Sequence, residues 1–361
     1  MTPGPPLPAD LHTPCLVVDR DVLDANLTGM ASHARRLGVS LRPHAKTHKC
    51  LEIARRQVEL GAVGLTVATV GEGEVFADAG FADLFIAYPL WAVGERGRRL
   101  RALAERVSLR VGVDSREGAE RLTRALAGTD AEVAVEIDSG HHRTGVAPTL
   151  AGPVAAAAER GGLPVAGVFT FPGHSYGPGQ RERAAADEAG ALGQAATALR
   201  DAGVAAELRS GGSTPTAALL DPEVMNEIRP GVYAFSDAQQ VELGAVGWES
   251  VALTAAATVV SRRGRSLVLD SGSKVLGADR LAWATGYGRL LDHPEARVVA
   301  LSEHHATVSF ADDGPLPGLG SVVRVVPNHV CTAVNLADDL VIVSEGAVVN
   351  TWRIAARGKN T

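Results

Sequence analysis

Apolar, β-branched runs recur along the first two thirds of the chain. Between them lie segments in which apolar residues return every three or four positions. The runs are VSLRPHAK (39–46), GLTVAT (64–69), LFIAY (84–88), SLRVGVD (108–114), AEVAVEID (131–138), VAGVFTF (165–171), AELRSGG (206–212) and IRPGVYAF (228–235). Near-continuous apolar runs of this length suit strands buried on both faces. CLEIARRQVELG (50–61), ERGRRLRALAERV (95–107) and SREGAERLTRALAG (115–128) carry helical period instead. Eight strands alternating with helices predict a TIM-like (β/α)8 barrel, with an additional helix over roughly 21–37 ahead of the first strand.

Past residue 245 the helical period fades. ALTAAATVVSR, RSLVLDSGS, ARVVALSE, ATVSF, SVVRVVP, DLVIVSE and AVVNTWRIAAR follow one another, separated by Gly, Asp and Pro. They predict a second, β-rich domain. The expected division is a barrel over 16–240 and a β-domain over 245–361, with the N-terminal arm 1–15 attached to the latter.

Composition narrows the function classes. The 361 residues carry a net charge of -6 without a basic cluster, which argues against a nucleic-acid surface. No apolar run approaches the ~18 residues of a membrane span. The start, MTPGPPLPAD, lacks the charged and apolar regions of a signal peptide and reads as an extended Pro-rich arm. Three scattered cysteines, Cys15, Cys50 and Cys331, suit a reducing cytoplasm better than a disulfide scaffold.

Polar clusters gather at the predicted C-terminal strand ends, where barrel enzymes keep their reacting groups. They are Lys46, DSGHHRTG (138–145), FPGHSYG (171–177), SGGSTPT (210–216) and GVYAFSD (231–237). In SGGSTPT the glycines Gly211 and Gly212 allow close backbone approach, and Ser210, Ser213 and Thr214 add hydroxyls. A phosphate would suit that loop, although an isolated Gly-Gly-Ser is more often an ordinary turn. Lys46 is the one lysine on a predicted barrel strand. In isolation it reads as a surface lysine, yet a neutral amine in a barrel mouth can form an imine with an aldehyde. Together, phosphate loop and amine suggest pyridoxal 5'-phosphate. Arg42 and His44 share the strand face of Lys46 and are expected to order it, whereas His48 and Lys49 are expected to be solvated. Pro43 sits awkwardly in a central strand. In PNHVC (327–331), His329 and Cys331 lie two apart and would share a strand face, a weak zinc signal on its own. SEHH (302–305) could support such a site or stay solvated.

Taken together, RPHAKTHK, DSGHHRTGV, PGHSY, SGGSTPT and PNHVC resemble the D-threonine aldolase and D-serine dehydratase family, fold type III pyridoxal phosphate enzymes related to alanine racemase. The resemblance runs from TPCLVVD (13–19) to WRIAARGK (352–359). It implies that Lys46 carries the cofactor and that Arg143 lies near its phenolic oxygen. It further implies that residues 210–214 and the stretch from Gly231 hold the phosphate. His329 and Cys331 would bind a divalent metal (zinc, manganese or magnesium) beside the hydroxyl of a D-β-hydroxy amino acid. Tyr176 is expected against the ring and Tyr233 on the phosphate. Enzymes of this type are usually homodimers.

Two outcomes follow. With His174 as base on the hydroxyl, the Cα–Cβ bond breaks, giving glycine and an aldehyde; this retro-aldol lyase activity is the leading expectation. With Lys46 removing the α-proton, water leaves, giving a 2-oxo acid and ammonia. The His–Cys pair points to the dehydratase branch, and VNL (334–336) with the chain's ending points to the aldolase branch. An amino-acid racemase would need a tyrosine base from the β-domain, where Tyr287 is the candidate. A non-catalytic pyridoxal phosphate-binding protein would not need the β-domain.

Overall fold

The computed structural model describes residues 7–8, 11–205 and 207–361, so most of the predicted N-terminal arm lies outside the described residues. The chain forms two compact units. One comprises Gly29–Lys46, Ile53–Gly231 and Lys359–Thr361. The other takes the described residues up to Thr28 together with Thr47–Glu52 and Val232–Gly358.

The first unit is the parallel α/β barrel. Its strands are Ser40–Leu41, Leu65–Val67, Asp83–Pro89, Ser108–Val113, Glu132–Ile137, Val165–Thr170, Leu208–Gly211 and Glu227–Ile228. From the second strand onward each pairs in parallel with the next, and the last pairs with the first. The ring closes between first and second strands, where Ala45 N–H donates to Thr66 O at 2.8 Å and Thr66 N–H to Pro43 O at 2.8 Å. Pro43 fits because of register. Ser40, Arg42 and His44 donate to Asn226, Ile228 and Pro230 on one side, so residue 43 faces the other side, and there only its carbonyl is used. The ladder therefore has a gap at one N–H, and the first strand is only two residues long.

Local sequence explains the helices around it. In Arg116–Leu126, the Ser115 side chain caps the start by accepting Gly118 N–H at 3.1 Å. Ala119, Leu122 and Leu126 form the buried stripe. The connection between the last two strands has no α-helix, only the short turn Ala217–Leu219.

The lower barrel interior is charged. Arg42 is 3% exposed; its Nε donates to Glu227 Oε2 at 2.8 Å and its Nη1 to Asp83 Oδ1 at 2.5 Å. Glu227 also accepts from Ser210 Oγ at 2.6 Å, and Arg229 donates to the same hydroxyl. Burial pushes Glu227 up, but Arg42 and Arg110 overcome it and leave the carboxyl below its ordinary range. Arg42 thus serves this ion network, a different task from ordering Lys46. Arg42→Ala is expected to lower stability by about 3–5 kcal/mol, because Glu227 would remain buried without its main partner. The midpoint of urea unfolding measures this.

The second unit is built on a nine-stranded sheet. Leu253–Arg263, Ser266–Leu269, Ala306–Ser309, His293–Leu301, Gly288–Leu290 and Val322–Pro327 pair antiparallel around a closed ring. Cys15–Asp19 extends this ring, antiparallel to Leu253–Arg263 and parallel to Asp339–Ser344. Ala347–Arg353 is the outermost strand. The strand Cys15–Asp19 thus belongs to the β-sheet and not to the barrel, whose expected start is residue 16.

Candidate active site

In the barrel unit, the candidate residues collect around Phe171, just beyond the sixth strand. Lys46 Nζ lies 5.7 Å from the centroid of that ring, and the Arg143 guanidinium lies 5.2 Å from it. His141 meets the ring edge-on at 5.6 Å, and Tyr176 is tilted against it at 6.1 Å. The ring is a shared platform for two cations. Sequence reading singled out neither Phe171 nor His141 individually, since both roles depend on neighbours from other strands.

Asp138 shapes the DSGHHRTG turn. Its Oδ1 accepts from Gly140 N–H at 2.9 Å and His142 N–H at 3.0 Å. Burial raises this carboxyl, but those donors and the His142 side chain outweigh it and hold it below the usual range. Burial, Arg143 and His174 together push the His141 imidazole down, favouring its neutral form. His174 sits on the turn Gly173–Tyr176, with Nε2 3.3 Å from Asp187 Oδ2. A histidine oriented by a carboxylate is a recurring acid–base arrangement. Below the arginine, Glu136 accepts from Thr144 Oγ1 at 2.9 Å, and burial pushes its carboxyl up to about 7.

The SGGSTPT segment divides in two. Ser210 and Gly211 end the strand, and the Ser210 hydroxyl is committed to Glu227 and Arg229. Gly212, with φ +79°, begins the loop, where a Cβ would crowd Ile228 at 3.2 Å. Ser213 Oγ lies 3.0 Å from both Ser175 Oγ and Thr216 Oγ1, and Thr214 is buried beside them. This hydroxyl-rich turn and the half-buried Lys46 amine are the donor set a phosphorylated aldehyde requires. His44, one alternation below Lys46, is half-buried and bridges to Thr66.

In the β-unit, PNHVC does not lie on one strand. The strand ends at Pro327, His329 is the extended residue at the start of the helix Val330–Leu336, and Cys331 is in its first turn. The buried Asp237 fixes the histidine. Its Oδ2 faces His329 Nδ1 at 3.2 Å and accepts Val330 N–H at 3.2 Å, while Oδ1 caps Ala238–Glu242 through Gln240 N–H at 3.0 Å. Burial opposes charge on His329, but the Cys331 sulfur and Asp237 overcome it and raise the imidazole well above its usual range. Cys331 Sγ lies 3.3 Å from Thr47 Oγ1. Nδ1 faces the carboxylate, which leaves Nε2 as a donor, an orientation that suits a metal ligand. Among the described residues no cluster of three or more His, Cys, Asp or Glu could hold a metal.

Other expectations fare differently. His48 and Lys49 are buried rather than solvated; Cys50 N–H donates to His48 Nδ1 at 3.1 Å, and Lys49 Nζ donates to Asn335 Oδ1 at 2.7 Å. SEHH is exposed, with Glu303 paired to Lys274 at 2.6 Å. Gly231 closes the barrel unit, and Tyr233 is buried in the β-unit's turn Val232–Ala234.

Residues 18–239 match the alanine racemase N-terminal domain, and residues 252–343 match the serine dehydratase domain. The chain is 34% identical to a D-threonine aldolase of an Arthrobacter species over 373 residues, covering 99% of this chain and 95% of that protein. It is 33% identical to the D-threo-3-hydroxyaspartate dehydratase of Delftia sp. strain HT23, covering 95% of this chain and 97% of that protein. The crystal structure of D-threonine aldolase from Filomicrobium marinum is 35% identical, with a TM-score of 0.86 over 98% of each chain. Solved variants of a D-threo-3-hydroxyaspartate dehydratase replace a histidine and a cysteine two positions beyond it by alanine, the cysteine variant in a metal-free form. The chain thus belongs to the family that joins an alanine racemase N-terminal domain to a serine dehydratase domain, with D-threonine aldolases and D-hydroxyamino acid dehydratases, pyridoxal phosphate-dependent lyases, as its full-length homologues.

Proposed function

We propose that the protein is a pyridoxal phosphate- and divalent-metal-dependent lyase of D-3-hydroxy amino acids. Its reaction is elimination of water, yielding a 2-oxo acid and ammonia. One observation carries this choice: His329 and Cys331 repeat the residue types and spacing of the pair replaced in the D-threo-3-hydroxyaspartate dehydratase variants.

When bound, the cofactor supplies an electron sink for charge at the substrate Cα and the metal supplies Lewis acidity toward its β-hydroxyl. Lys46 would hold the cofactor through its aldehyde, and its Nζ is the base placed to take the α-proton. Gly212, Ser213 and Thr214, with Gly231 and Tyr233, hold the phosphate. Arg143 would lie near the cofactor's phenolic oxygen, and His44 and Tyr176 would help to hold the lysine and the ring. His329 and Cys331 are the metal's ligands, and Asp237 keeps the imidazole turned so that Nε2 is the donor. The assembly is a homodimer acting on small molecules in the cytoplasm, without nucleic-acid or membrane partners. No helix among the described residues is long and apolar enough to cross a membrane.

The second reading is retro-aldol cleavage. The full-length identity to the Arthrobacter aldolase favours it, and so does the His174–Asp187 pair, which could take the hydroxyl proton. Product analysis separates the two. D-Serine and D-threonine are expected to give pyruvate and 2-oxobutyrate with ammonia, and a chelator to stop both. Glycine and acetaldehyde from D-threonine establish the aldol route instead. Substrate recovered with its Cα inverted (L-serine, or L-allo-threonine) indicates a racemase, and cofactor binding without turnover indicates a binding protein.

A further inference from the structure

Glu188 lies on the inner face of the helix Arg181–Asp201 and is 2% exposed. Its carboxyl meets the loop after the seventh barrel strand. Oε1 accepts Gly212 N–H at 2.6 Å, and Oε2 faces Thr216 Oγ1 at 3.5 Å. Thr216 Oγ1 in turn accepts Ser213 N–H at 3.0 Å. One carboxyl therefore ties both ends of the turn. A Cβ on residue 211 would overlap Glu188 Oε1, so glycine at that position is what admits the carboxyl.

We propose that Glu188 is a positioning residue for the phosphate loop, and that its negative charge opposes binding of a phosphate dianion by residues 212–214. Cofactor uptake and protonation of Glu188 are then linked. This rests on the reading above that the loop holds the phosphate of pyridoxal phosphate. The argument is geometric and electrostatic. A buried carboxylate and a dianion on one short loop repel each other strongly where water is excluded. A neutral carboxyl keeps an oxygen for Gly212 N–H and removes the repulsion. Burial pushes Glu188 up to about 7, against the lowering effects of Gly212 N–H, Arg229 and Thr216. Arg229 is the charged group that bears on it from another element. Below about pH 7 the carboxyl is neutral and binding is unopposed. Above that, binding must draw in a proton, so affinity falls by up to about tenfold per pH unit.

The test titrates cofactor-free protein with pyridoxal phosphate and with pyridoxal, which has the same aldehyde but no phosphate, following visible absorbance between about pH 6.5 and 8.5. The ratio of the two dissociation constants cancels the pH dependence of the lysine–aldehyde bond. In the wild type, the preference for the phosphorylated form is expected to shrink roughly tenfold across this range. In Glu188→Gln, which keeps the acceptor and removes the charge, it should stay nearly flat. The same pH dependence in both proteins overturns the proposal. A second measurement covers a variant that does not fold. Wild type mixed above pH 7 in weak buffer should take up more protons with pyridoxal phosphate than with pyridoxal; equal uptake also overturns it. If the wild type binds neither aldehyde, the functional reading itself falls and takes this inference with it. If both bind normally and only the linkage is missing, the inference alone falls.

Discussion

Lys46→Ala is expected to give a folded protein with no covalently held cofactor and with turnover reduced by at least about 10³-fold. The lysine supplies two functions, the amine that carries the aldehyde and the base for the α-proton, and alanine supplies neither. The structural loss is small. A half-buried amine 5.7 Å from the Phe171 centroid contributes about 0.5–1 kcal/mol at most. Borohydride reduction followed by peptide mapping checks the assignment. The label should fall on Lys46 in the wild type and on no lysine in the variant. Lys49 is the informative control. It is also buried, but its amine is held by Asn335, so it should stay unlabelled in both proteins. A label on Lys49, or a variant that keeps its colour, would remove the chemical basis of the proposed function.

The second large effect is expected at Cys331. Cys331→Ala removes one of two proposed protein ligands, so metal content measured by mass spectrometry should fall to background. Turnover should fall by roughly 10²–10⁴-fold, the several kcal/mol of Lewis-acid stabilisation that a catalytic metal supplies. The visible absorbance of the cofactor should remain. That separation distinguishes a ligand from a fold determinant, because Lys46 and the phosphate loop belong to the barrel unit. Added chelator should depress the wild type to the level of the variant and leave the variant unchanged. Metal retained at wild-type stoichiometry would show that Cys331 is not a ligand.

The barrel was legible because its strands are buried on both faces and so read as nearly unbroken Val, Ile and Leu runs. The first and last strands were overestimated, each ending within two residues of a proline, Pro43 or Pro230. A proline cannot donate to the ladder, and a neighbouring residue cannot supply the missing N–H. Residue types at the candidate site were legible, and their local conformations were not. PNHVC looks extended by its β-branched flanks, yet a helix begins at Val330, and Asp237, distant in sequence, fixes the geometry. Glu188 was half legible. Its spacing from Ala184, Leu192 and Ala195 puts it on the buried stripe of its helix, but only the fold shows that its carboxyl meets Gly211 and Gly212. His48 and Lys49 were misjudged for a related reason. A dense run of positive charge normally faces solvent, but from Thr47 to Glu52 the chain is part of the β-unit.

The strand Cys15–Asp19 bears on how the molecule is made. Val17 pairs with Thr254 on one side and Val341 on the other, so a segment that precedes the barrel in the chain waits for segments that follow it. Until Leu253–Arg263 has been made, the apolar Leu16, Val17 and Val18 have no sheet to enter, while much of the barrel already has its own neighbours. Closing so long a loop is slow. Nascent chains should therefore expose Leu16, Val17 and Val18 to chaperones while the barrel is being made.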